Sequence, residues 1–269
     1  MAARTVAGPV GPLASVGIHV ARWALTAFVA VVGLLIGSFL NVVIYRIPRG
    51  LSVAKPGSFC PHCETPVRPV DNIPVVSWLV LRGRCRRCRG PISGRYPMVE
   101  GGTAVVFAAI GWGLGPHWAV AGFCVLAATL VVLVAVELDG LDTPMSAAVV
   151  GTAIGTLLLV AAGAADHRWH RVVGVLVGVA VAAVVVTLAR PRARAAPVLL
   201  PVGAVLGWLG PASAAEGLAV AVVLVVARSA AKANRPGAES ARSVLGLAFA
   251  AGAAISTVIA VAVGAGTGR

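Results

Sequence analysis

Charge is what this sequence has least of. Only 12% of its 269 residues are charged, against roughly a quarter in an ordinary soluble domain, which excludes a conventional water-soluble globule. Acid is scarcer than base, with 9 Asp and Glu against 22 Lys and Arg. The long apolar runs carry almost no charge inside them, which argues against an ion path and so against a transporter or channel. No glycine-rich strand-to-helix phosphate motif is present, so no nucleotide-type site can be placed this way. No cleavable signal peptide is evident, because the first apolar run is too long for one and lacks a convincing cleavage site. The net charge of +13 would suit nucleic-acid binding in a soluble domain. Here membrane orientation accounts for the basic residues, and no nucleic-acid partner is expected.

What fills the chain instead is apolar: 59% of residues are hydrophobic, the mean hydropathy is +0.95, and there are 32 glycines. Runs near 20 residues match the thickness of a bilayer, where the backbone must bond to itself in helices. Small residues let such helices approach closely. The expectation is an all-α polytopic membrane protein with about eight transmembrane helices, near residues 24–45, 101–116, 118–137, 145–164, 171–189, 197–210, 213–228 and 243–265. Charge constrains the order. With the N-terminus outside, the inside loops hold Arg46, Arg49, Lys55, Arg68 and the arginines from Arg82 to Arg95, then Arg190, Arg192 and Arg194, then Arg228, Lys232, Arg235 and Arg242. Outside remain Arg4, Arg22, Arg168, Arg171 and Arg269. Such an excess on one side marks the cytoplasm, and an error of one span would put two of the basic loops outside. His167 and His170 fall in an outer loop and read as solvated, and Cys124, alone in a span, reads as a packing residue.

Between the first two spans stand two knuckles, Cys60-Pro-His-Cys63 and Cys85-Arg-Arg-Cys88. Paired C-x-x-C motifs with a spacer of about 20 residues are a zinc signature, and four thiolates leave no open coordination position, so the site would be structural. Pro56, Pro61, Pro66, Pro69, Pro74 and Pro91 exclude a long helix here, and a compact zinc-ribbon-like loop domain fits better. So small a unit buries little apolar surface, so metal would supply its folding energy. Two disulfides are the alternative, disfavoured by the reducing cytoplasm to which the charge asymmetry assigns the loop. His62 is a weaker ligand candidate.

Around the knuckles the residues are dense in a recognisable pattern: Gly37-Ser38-Phe39-Leu40-Asn41-Val42-Val43-Ile44-Tyr45-Arg46-Ile47-Pro48, then Asp71-Asn72-Ile73-Pro74 with Ser77-Trp78-Leu79, then Arg95-Tyr96-Pro97-Met98-Val99-Glu100. This stretch resembles the type IV prepilin peptidases, also called leader peptidase/N-methyltransferases. The resemblance implies an intramembrane aspartic endopeptidase of the bacterial inner membrane that cuts the leader from prepilin or pseudopilin-like helices at the cytoplasmic face. It also implies N-methylation of the new terminus with S-adenosylmethionine. Three regions follow: 1–45 with the first helix, 46–98 as the cysteine domain, and 99–269 as a peptidase-like bundle.

Aspartic catalysis needs two carboxyl groups sharing about one proton, one acting as base and the other as acid. In the family pattern the first aspartate stands at the cytoplasmic end of a span with a proline seven positions on. In Val136-Glu137-Leu138-Asp139-Gly140-Leu141-Asp142-Thr143-Pro144, Glu137 takes that place without a gap and Asp139 with one, while Asp142 is a further acid in the turn. The pattern's second aspartate ends a GxGD motif. Here Ala193-Arg194-Ala195-Ala196 stands in its place, so Ala196 occupies the aspartate position. The alternative is therefore a relative inactive as a peptidase, retaining methyl transfer alone or binding pilin-like helices during assembly.

Overall fold

The structure, a computed structural model, describes residues 12–189 and 196–209. Among these all regular secondary structure is helical, with two isolated bridge pairs and no β-strand. The long helices are α1 (Pro12–Arg46), α3 (Arg95–Leu114), α4 (Ala119–Leu138), α5 (Met145–Ala165) and α6 (Trp169–Ala189), with a short α2 (Val76–Val80) in the cysteine loop and α7 (Leu199–Leu209) after α6. Five of them have the length and composition of membrane spans, so the chain is a multi-pass membrane protein. The expected spans at 213–228 and 243–265 lie outside the described residues.

Two boundaries differ from expectation. α1 starts well before residue 24, since nothing between Pro12 and Arg46 breaks a helix and proline suits a helix's first position. α3 starts at Arg95 instead of 101, because Pro97 falls in its first turn, where a missing N–H costs nothing. The helices alternate in direction, so the cysteine loop between α1 and α3 and the α4–α5 turn share one end of the bundle.

α1 lies along α3, α4 along α5, and α6 along α7. Small residues make these approaches possible. A Cβ on Gly37 would come within 2.7 Å of the Glu100 Cα, and one on Gly33 within 2.7 Å of the Ala104 Cα. Gly174 and Gly178 of α6 face Gly203 and Gly207 of α7 backbone to backbone. In lipid, where apolar burial gives no drive between helices, such close contact supplies the attraction. Leu126, Ile110, Phe123 and Leu159 fill the centre, and Cys124 is buried beside them, the packing role expected of it.

Candidate functional site

The cysteine loop is built from one small motif used twice. Cys60 N–H bonds Thr65 C=O and Glu64 N–H bonds Cys60 C=O; in the second copy Cys85 N–H bonds Gly90 C=O and Arg89 N–H bonds Cys85 C=O. Glu64 and Arg89, each just after its second cysteine, both take positive φ (54° and 59°), which turns the chain back. Each knuckle is closed by a single bridge, Phe59 with Pro66 and Arg84 with Pro91. Among the described residues these bridges do not lengthen into strands, because Pro66 and Pro91 have no N–H with which to extend a ladder.

Side chains then clamp the two copies together. Arg87 Nη1 donates to Thr65 Oγ1 at 2.7 Å, linking the knuckles directly. Arg86 grips Asp71, on the 3-10 turn Pro69–Asn72, with three contacts of 2.6–3.0 Å. Arg46, at the end of α1, donates to the carbonyls of Ser52 and Pro56, tying the loop to the bundle.

The result brings Cys60, Cys63, Cys85 and Cys88 together, with all four sulfurs within 4.8 Å of one another. Cys60 Sγ and Cys88 Sγ are 3.8 Å apart, the edge expected of a tetrahedron with bonds of about 2.3 Å to one zinc. That spacing is far beyond the roughly 2.05 Å of a disulfide, and the cysteines are free. His62 is not in the group; its ring lies against Gly90. The thiols are prepared unequally. Cys63 is lowered to about 6, first by the Thr65 hydroxyl and then by the Thr65 N–H. Cys85 is lowered by the N–H groups of Cys88 and Arg87. At Cys88 the Gly90 N–H acts to lower the value, but desolvation and the neighbouring sulfurs outweigh it and push it up to about 11. A divalent metal would balance the charge of a four-thiolate cage. The donor set fits zinc and leaves no position for a water or substrate.

The acidic turn lies at the same end. Glu137 is in the last turn of α4, Asp139 caps that helix, and Asp142 follows in the connection to α5. Gly140, at φ 70°, donates its N–H to Glu137 C=O and makes the turn that a side chain would strain. Asp139 is bound to Arg95 at the start of α3, Nη1 standing 2.7 and 2.6 Å from its two oxygens. The 3-10 turn Ala196–Val198 packs against α4 and α5, and Leu199 after it clusters with Leu133 and Ala148. The 3-10 turn thus lies against the helices that flank the acidic turn. At the opposite end His117 Nε2 meets Asp166 Oδ2 at 2.8 Å, and neither His167 nor His170 joins a metal-binding group among the described residues.

Sequence reasoning missed one acid. Glu100 is only 6% exposed, on the second turn of α3. Its Oε2 accepts the N–H of Val75 at 2.7 Å. Asn41, also buried, donates Nδ2 to Tyr96 C=O at 3.3 Å beside it. The available signal was an acid at the mouth of an apolar run, followed by Gly101 and Gly102. A cavity of about 1060 Å³ opens here between α1, α3 and the cysteine loop.

Comparison with known proteins adds a family. Residues 31–114, which run from α1 through the cysteine loop to the end of α3, match the bacterial Peptidase A24 N-terminal domain. The chain is 40% identical over 134 residues to the prepilin leader peptidase/N-methyltransferase of Neisseria gonorrhoeae, covering 41% of this chain and 47% of that one. It is 44% identical over 131 residues to the prepilin leader peptidase/N-methyltransferase of Myxococcus xanthus, covering 49% and 39%. It is 42% identical over 138 residues to the type 4 prepilin-like proteins leader peptide-processing enzyme of Escherichia coli, covering 43% and 50%. The chain thus spans about half the length of the curated relatives it matches. No solved structure matches it.

Proposed function

Given that the chain belongs, through residues 31–114, to the prepilin leader peptidase/N-methyltransferase family, we propose that it acts on the amino-terminal segment of prepilin-like helices, with N-methylation as its retained chemistry. The observation that carries this reading is the four-sulfur cluster inside the matched region, complete in its ligands and clamped by Arg86 and Arg87. Cys60, Cys63, Cys85 and Cys88 would hold zinc as a structural staple. The methyl group would come from S-adenosylmethionine, which the cavity beside Glu100 is large enough to admit. The cysteine loop and the acidic turn would face the cytoplasm of a bacterial inner membrane, as the basic residues between Arg46 and Arg95 favour. The substrate helix would lie in lipid against the spans, and the acidic turn would meet the positive charge of its leader.

A second reading keeps leader cleavage, with Glu137 and Asp139 as the carboxyl pair and Asp142 as a reserve acid. Two observations weigh against it. Ala196 brings no carboxyl to the second position, and both carboxylate oxygens of Asp139 are already engaged by Arg95, at 2.7 and 2.6 Å. The two readings separate in one experiment. The chain is expressed in membranes with a candidate prepilin, intact or already trimmed, and the substrate's amino terminus is read by mass spectrometry. Methylation of the trimmed substrate without cleavage of the intact one is expected. Cleavage that disappears in Glu137→Gln or Asp139→Asn would establish the second reading, and neither product would overturn both and leave a role in binding pilin-like helices.

A further inference from the structure

We propose that the cavity between α1, α3 and the cysteine loop is a binding site for a small organic cation, and that the buried carboxylate of Glu100 is its counter-charge. The proposal deepens the methyl-transfer reading. The two cations that reaction brings together are a sulfonium methyl donor and the ammonium of a peptide's amino terminus.

Other charges share the cavity. Its walls carry five basic groups, of which Lys55 and Arg68 are exposed to solvent and the other three are committed to the protein. Arg46 holds the carbonyls of Ser52 and Pro56, Arg86 holds Asp71, and Arg87 holds Thr65. Asp71 is answered by Arg86 in turn. Glu100 is different. It is buried on a membrane helix and faces the same cavity, and among the described residues the donor it meets is an uncharged N–H, that of Val75. An ionised carboxylate has room for about four donors, and burying one without a cation is costly. An acid within a membrane span marks a site by default.

The surroundings suit an organic cation better than a metal ion. Phe59, Trp78 and Tyr96 line the same space, beside Tyr45 whose ring already carries the Arg49 guanidinium, and aromatic faces attract ammonium and sulfonium groups. No second carboxylate, cysteine or histidine joins Glu100 in a metal-binding group among the described residues. A hard cation would want several oxygen ligands. The volume, about 1060 Å³, is that of a site for a nucleoside-sized molecule and not for a bare ion. The backbone is shaped to keep Glu100 in place. Val75 takes φ 61°, a rare conformation for a β-branched residue, and its N–H points at the carboxylate. Gly37 lets α1 come close enough to bury the helix turn that carries it.

The test compares ligand pairs that differ in charge but hardly in shape. Purified full-length chain in lipid nanodiscs is titrated with S-adenosylmethionine and with S-adenosylhomocysteine, its uncharged thioether counterpart. It is titrated separately with an apolar peptide bearing a free amino terminus and with the same peptide acetylated. Binding is read calorimetrically, without turnover. The wild type is expected to prefer the charged member of at least one pair by on the order of ten-fold. Glu100→Gln should abolish that preference and Glu100→Asp should keep part of it, with zinc content unchanged in both. The pair that responds identifies the cation. Equal affinity for charged and uncharged members of both pairs in the wild type overturns the proposal without any variant, as does a preference that survives Glu100→Gln. Cation preference without any methylated product would leave this site standing and remove the methyl-transfer reading; methylation without cation preference would do the reverse.

Discussion

Arg86 stands between Cys85 and Cys88 in sequence, yet its guanidinium reaches sideways to Asp71. It thereby fixes the second knuckle against the turn that precedes α2. The contact holds the Asp71 carboxyl below its ordinary value of 3.8, first through the Arg86 hydrogen bonds. A carboxyl whose folded value is depressed adds stability above its ordinary value and loses it as pH falls through the lowered one. Asp71→Asn should therefore lower the thermal stability of the loop at neutral pH, and the gap from wild type should close on acidification below about pH 4. Melting curves of both proteins across that range provide the check, and a gap unchanged by acid would show that the contact is not ionic in effect. Asp139 is the contrasting acid. Sequence marks it as a candidate because of its place at a helix end, but its partner Arg95 lies 44 positions away and could be found only by folding the chain.

The helices depend on where glycine is tolerated and where it is required. Gly37 and Gly101 make the contrast. A Cβ on Gly37 would stand 2.7 Å from the backbone of Glu100, whereas around Gly101, one residue past Glu100, nothing lies within 4 Å. In a helix, glycine to alanine is worth roughly 0.5–1 kcal/mol of added stability where there is space. Where a backbone must move aside, overpacking costs about 1–3 kcal/mol and wins. Gly101→Ala should leave the melting temperature unchanged or raise it, while Gly37→Ala should lower it and loosen the α1–α3 contact, as seen by protease susceptibility of the cysteine loop. Equal effects at both positions would refute the packing described. The apolar runs announced these helices because length and hydropathy are local properties. Their true starts, Pro12 and Arg95, were less visible, since a proline or a charged residue in the first turn reads locally as a loop although a helix tolerates it there.

At the scale of the whole molecule, one end of the bundle collects the chemistry: the cysteine loop, the acidic turn and the Glu100 cavity. Two parts of this were readable in advance. The knuckles follow a spacing rule that zinc imposes, and the Glu137–Asp142 turn follows a span by simple order. The rest was not, because Glu100 and Asn41 become a site only when α1 and α3 pack and the loop folds back on them. Without an ion held by the four sulfurs the loop would have little core of its own. The direct measurement is zinc content and X-ray absorption on the purified full-length chain, beside Cys85→Ser. About one zinc per chain, with four sulfur neighbours at about 2.3 Å and loss of the metal in Cys85→Ser, is the predicted result. Metal-free wild-type protein with an intact fold, or zinc unchanged in Cys85→Ser, would contradict it.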